Sequence, residues 1–197
     1  MSRPFGSVQM NSKKGSRRRY TAVAGAAAVL VLSAASAARA DSLGVQVAGG
    51  VAEHKVYKAD LGLVWDPGIN WWGIGGWHFA LIGEAHVAYW HSSEGTSRNG
   101  VFEFGVTPVV RFIKATGAVR PYIEAGAGIR GLSKHTINAS YNLSSAFQFT
   151  EVVGIGAQFG RHQQYEVGLR FQHISNAGIK EPNPGINFSQ LYLQYNF

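Results

Sequence analysis

The 197-residue chain carries 18 Lys and Arg against 11 Asp and Glu, a net charge of +7 that would ordinarily raise nucleic acid as a partner. The excess sits entirely in residues 1–40, and beyond them 11 residues of each sign remain, so charge gives no reason to expect nucleic acid. There is no cysteine, which excludes a thiol nucleophile, a thiolate metal site and a disulfide-held exported domain.

The first element reads as an export segment. A basic stretch ending at Arg19, an apolar run from Tyr20 to Ala35 and the small-x-small site Ala38-Arg39-Ala40 predict a signal peptide over 1–40, cleaved before Asp41. The competing membrane-anchor helix needs roughly 20 apolar residues, more than this run supplies. Arg17-Arg18-Arg19 also touches the twin-arginine pattern, a weak signal because arginine clusters are common in ordinary leader segments. The remainder, 41–197, is the length of one domain.

From there on, alternation with a period of two dominates, the mark of strands with one apolar face. Leu43 to Val51 opens the series. Tyr57, Ala59, Leu61, Leu63 and Trp65 then oppose Lys58, Asp60 and Gly62. In Trp77 to Trp90 the odd positions are mostly apolar, while the even ones include His78, Glu84 and His86. Phe102 to Phe112, Val119 to Arg130, Phe147 to Phe159, Tyr165 to Gln172 and Ser189 to Phe197 follow the same rule, giving eight predicted strands.

Short turns such as 114–117 and 160–163 alternate with longer polar connections such as 91–100 and 131–145. Eight strands of about ten residues, aromatic strand ends and this loop asymmetry predict an all-β fold, an eight-stranded antiparallel transmembrane β-barrel, with a polar lumen and an apolar outer wall. The C-terminal face Leu191, Leu193, Tyr195, Phe197 resembles the assembly signal of bacterial outer-membrane proteins. A soluble barrel of the lipocalin kind has the same alternation but buries the apolar face inward, so export and strand count decide between them.

Inside such a lumen Glu84, Glu103, Glu124, Arg111, Arg120 and Arg170 are expected to pair, because a buried charge needs a partner. His78, Glu84 and His86 share that face, and a metal site there is the weaker expectation beside ordinary lumen pairing. Asp66 to Asn70 reads as a turn, and Trp71-Trp72 as interfacial anchors.

One stretch breaks the pattern. His173 and Ser175 occupy the face that Tyr165, Val167, Leu169 and Phe171 assign to lipid, and Asn187 and Ser189 occupy the corresponding face of the last strand. A polar group on a lipid-facing wall is unfavourable unless it lies at the interface or has a purpose. If both termini are periplasmic, the end of the seventh strand, at His173, lies at the outer leaflet.

Phe171-Gln172-His173-Ile174-Ser175-Asn176-Ala177-Gly178-Ile179-Lys180, with Pro182-Asn183 and Gly185-Ile186, resembles the signature of the PagL family, the lipid A 3-O-deacylases of bacterial outer membranes. The resemblance implies a serine esterase with His173 as base and Ser175 as nucleophile. It also implies Asn176, Gly178 and Asn183 as oxyanion or assisting groups. The family's relay glutamate falls on Asn187 here, so the third member is expected to be Asn187 as an orienting group, with Glu181 in the loop as the alternative. Lipid A or lipopolysaccharide is then the substrate and outer-membrane lipid the surroundings; no cofactor, metal or nucleic acid is implied, and a homodimer is left open. The competing expectation is a non-catalytic small barrel, structural or adhesive, that retains the motif.

Overall fold

The period-two segments become long antiparallel strands in the computed structural model, which describes residues 43–94, 100–139 and 141–197. The expected signal peptide and its cleavage point lie outside the described residues. In chain order the strands are β1 (Leu43–Ala52), β2 (Val56–Trp65), β3 (Asn70–Ile74), β4 (Trp77–Ser92), β5 (Gly100–Lys114), β6 (Val119–Leu132), β7 (Thr136–Asn138), β8 (Tyr141–Asn142), β9 (Phe147–Phe159), β10 (Tyr165–Ser175) and β11 (Ile186–Asn196). Eight of them, β1, β2, β4, β5, β6, β9, β10 and β11, pair in sequence order, and β11 pairs back onto β1. The result is a closed up-and-down barrel with no free edge among these eight strands. β3 adds a short hairpin to the start of β4, and β7 with β8 forms a small separate hairpin.

Alternation tells which wall faces where. On β10, Leu169 and Phe171 are 57% and 47% exposed while Arg170 and Gln172 are 5% and 2% exposed. The greasy residues therefore line the outside and the polar ones the lumen, the reverse of a soluble barrel. The lumen is packed rather than open along most of its length. Arg170 bonds both oxygens of Glu84 at 2.8 and 2.9 Å and reaches Glu124 at 2.7 Å. Arg111 bonds Glu124 at 3.0 Å and Glu166 at 2.8 Å, and Arg130 bonds Glu103 at 2.6 Å. Small lumen residues make room for this network: a side chain on Gly168 would collide with the Tyr192 ring, and one on Gly156 with Tyr122.

Two lumen expectations need correction. Arg120 does not join the internal pairs; its Nε donates to the Lys114 carbonyl at 2.7 Å at the barrel rim, because β6 begins there. Nor is the interior polar throughout. Towards the end where β10 stops, Val56, Trp90, Val101, Ile174, Ile186 and Phe188 meet Ile137, Tyr141 and Leu143 from the β7–β8 hairpin in a buried apolar plug. That hairpin folds into the mouth instead of lying on the surface, since only the plug removes its apolar side chains from water.

Aromatic side chains ring both ends of the wall. Trp71, Trp72, Trp77, Phe79 and Phe112 stack with centroid separations of 4.8 to 5.9 Å at the end carrying the short turns. Tyr89 with Phe102 and Phe147 with Phe149 mark the other end, each pair 5.1 Å apart.

Candidate active site

The site lies where β10 and β11 end and begin, at the barrel end that carries the longer loops. Outward parity on β10 runs through Tyr165, Leu169 and Phe171 and continues through His173 to Ser175. Both are half-buried. Residues two apart on a strand share a face with their Cβ atoms about 7 Å apart, within which an imidazole and a hydroxyl can be brought together by rotamer choice.

Register brings a third polar side chain beside them. β10 and β11 place His173 opposite Asn187, and His173 Nδ1 lies 2.7 Å from Asn187 Oδ1. The carbonyl oxygen accepts, so Nδ1 carries the proton and Nε2 presents its lone pair. From the lumen side, Thr150 Oγ1 donates to the His173 carbonyl at 3.1 Å and itself accepts from Gln172 Nε2 at 2.9 Å, fixing the backbone under the imidazole.

Gly185 closes the far edge of the ring. A Cβ there would lie 2.7 Å from His173 Cε1 and 3.3 Å from Nε2, and the residue has φ +64°. Both facts call for glycine. Its carbonyl accepts a hydrogen bond from the Tyr141 hydroxyl, whose ring packs on His54 at 4.1 Å. Burial, aided by the nearby Glu53 carboxylate, pushes the Tyr141 hydroxyl up to about 12, so it serves as a neutral donor.

The loop residues divide. Asn176 is fully buried; its Nδ2 donates to the Leu143 and Lys180 carbonyls at 3.1 and 2.7 Å, and its Oδ1 accepts from Lys180 N at 3.4 Å. Asn176, expected as an oxyanion or assisting group, thus has its amide hydrogens engaged within the fold: even parity turns it inward, and its amide ties the motif to the loop after β8. Asn183 Oδ1 accepts from Asn176 N at 3.0 Å, which orients the amide's donor end away from that backbone. Gly178, at φ +77°, has open space where a side chain would be. Glu181 turns back on its own loop, accepting from Asn183 N at 3.0 Å, so Asn187 rather than Glu181 stands at the imidazole.

Glu53 escaped the sequence reading. It lies in the β1–β2 turn, where its Oε1 accepts from Asn187 N at 3.0 Å and from Asn187 Nδ2 at 3.3 Å. The pairing of Ala52 with Phe188, continued by one residue, sets Glu53 beside Asn187. Tyr141 was missed as well, and Gly185, though part of the motif, was given no role. The only signal for Glu53 was its odd parity after Val51 combined with closure of the first strand onto the last.

His78, Glu84 and His86 do not converge. His86 places its two ring nitrogens 2.9 Å from Asp60 and 3.1 Å from Glu84, whereas His78 lines a polar cavity of about 580 Å³ at the opposite mouth. Among the described residues no three His, Asp or Glu side chains are grouped to hold a metal ion.

A family model described as lipid A 3-O-deacylase (PagL) matches residues 56–196. The lipid A deacylase PagL of Pseudomonas aeruginosa is 31% identical over 84% of this chain and 93% of its own length. That of Bordetella bronchiseptica is 40% identical over 59% of this chain and 62% of its own length. A crystal structure of the outer membrane enzyme PagL superposes with a TM-score of 0.69 at 30% identity, covering 78% of this chain and 99% of that one.

Proposed function

The chain belongs to the PagL family and is an outer-membrane β-barrel, and on that premise we propose that it removes the ester-linked acyl chain at position 3 of lipid A. His173 Nε2 takes the proton of the Ser175 hydroxyl, and Oγ attacks the ester carbonyl carbon. The carbonyl oxygen becomes an oxyanion, for which the Gly178 N–H and the Asn183 Nδ2 are the candidate donors. Collapse breaks the bond to the sugar oxygen, which leaves with the proton from His173, and Ser175 is left acylated. Water, deprotonated by the same imidazole, then releases the fatty acid and restores the serine.

Substrate access follows from parity. A base and nucleophile on the outer wall meet a lipid moving in the plane of the membrane, and the end with the longer loops is read as the outer-leaflet end, where lipid A resides. The observation that carries the reading is the 2.7 Å contact of His173 Nδ1 with Asn187, which leaves Nε2 as the basic nitrogen on the face that Ser175 shares.

Lipid A extracted from cells expressing Ser175→Ala or His173→Phe should retain its 3-O-acyl chain, a fall of more than about 10³-fold in turnover. Mass spectrometry of that lipid A checks this. Full deacylation by either variant would remove that side chain from the reaction, and lipid A left intact by the wild-type protein would leave a structural or adhesive barrel.

A further inference from the structure

Asn187 poses a chemical problem that its own side chain does not solve. An amide can orient an imidazole through its carbonyl oxygen, yet the same amide turned over would present an N–H₂ instead. In the turned state His173 Nδ1 would become the acceptor, Nε2 would carry the proton, and Ser175 would face a nitrogen unable to take its own. We infer that Glu53 is the positioning residue that prevents this, a fourth relay member that locks Asn187 and, through it, the tautomer of His173. This inference rests on the hydrolase reading above.

The geometry behind it is short and directional. A carboxylate only accepts, so Glu53 Oε1 can bond the Asn187 side chain through Nδ2 alone, at 3.3 Å. The same oxygen takes the Asn187 backbone N–H at 3.0 Å, which holds the carboxylate in place whatever the side chain does. Oδ1 must then point to His173, at 2.7 Å. Negative charge withdrawn from the third position is thus returned one hydrogen bond further out, where it also favours the imidazolium formed during attack.

The turn that carries Glu53 is built as if for this purpose. His54 and Lys55 have φ of +57° and +51°, a two-residue hairpin geometry that favours Asn-Gly over side chains such as these. Such strain persists when the surroundings over-determine it. Here Ser92 Oγ donates to the His54 carbonyl at 3.0 Å, Ser93 N to the Lys55 carbonyl at 3.1 Å, and His54 lies 3.3 Å from Glu94 and against Tyr141. One side of the same turn therefore presses on Tyr141, which holds Gly185 at the imidazole edge, while the other presents Glu53 to Asn187.

The experiment moves the charge instead of merely deleting it. Full-length protein in detergent micelles is assayed for fatty-acid release from lipid A, with kcat and KM separated, alongside heat-modifiable gel migration to confirm a folded barrel. Glu53→Gln should lower kcat on the order of 10- to 100-fold, the loss typical of an outer orienting group, with KM little changed. Adding Asn187→Glu to that variant should restore kcat, because the carboxylate now accepts from Nδ1 directly. Should Glu53→Gln not assemble, Glu53→Asp, which draws the carboxylate back by one methylene, carries the same expected loss. Wild-type kcat in the Glu53 variants, a loss confined to KM, or no recovery in the double variant overturns the inference. Ser175→Ala, run in parallel, separates the two readings: if it hydrolyses as fast as wild type, Ser175 is not the nucleophile and the mechanism on which this inference rests fails, whereas an inert Ser175→Ala beside an unaffected Glu53→Gln removes Glu53 alone.

Discussion

At Gly185 the absence of a side chain is what leaves room for the His173 ring. The residue sits at φ +64° with the edge of the His173 ring where its Cβ would be. Gly185→Ala would have to strain the backbone, by about 1 kcal/mol, and push the imidazole aside. A displacement near 1 Å at a reacting group can lower turnover on the order of 10²-fold. We expect Gly185→Ala to fold, to bind lipid A and to lose kcat by about that factor, measured as fatty-acid release by the purified barrel. Unchanged kcat would mean that the ring has more freedom than the packing indicates. The placing of His173, Ser175 and Asn187 on one outward face was open to the sequence because strand parity and the motif agree on them. Glu53 was not, since nothing local ties it to a residue on the last strand.

For the strands, the lumen network sets how far each can be altered. Arg170 on β10 holds Glu84 on β4 and Glu124 on β6 at once, and stacks over Tyr192 on β11 with its guanidinium carbon 4.9 Å from the ring centroid. Arg170→Met removes one partner of a buried pair and leaves two carboxylates short of a cation, a loss of about 3–5 kcal/mol. A lower midpoint of denaturant unfolding in detergent should report it. Period two made these strands visible, because lipid outside and packed polar groups inside impose the same alternation from opposite sides. The same rule misplaced Arg120, whose parity is correct but whose position at the start of β6 gives it rim water. It was also silent on β3 and the β7–β8 hairpin, where runs of two to five residues are too short for any period and tertiary burial of Ile137 and Leu143 decides the outcome.

For the molecule as a whole, the two aromatic rings bound the apolar belt. Phe79 and Tyr89 on β4 lie ten residues apart, about 33 Å along the strand and about 25 Å across the membrane at the usual barrel tilt. Leu169, at the middle of β10 and 57% exposed, falls within that belt. Leu169→Arg should therefore destabilise the barrel in lipid bilayers by about 2–4 kcal/mol, read from reversible denaturant unfolding in vesicles. A neutral or stabilising effect would point to water outside this wall. Fold class was the most legible level, since composition, strand count and alternation all constrain it, while the plug in one mouth depends on which loop folds back and had no periodic trace.

Glu53 and Asn187 are 134 residues apart, and they touch only across the seam where the first strand zips to the last. Without that seam His173 and Ser175 would still share a strand, but Asn187 would lack the carboxylate we propose as its lock. On the proposed relay, closing the cylinder and completing the site are therefore one event, because the contact that orients the amide exists only where the two ends of the sheet meet.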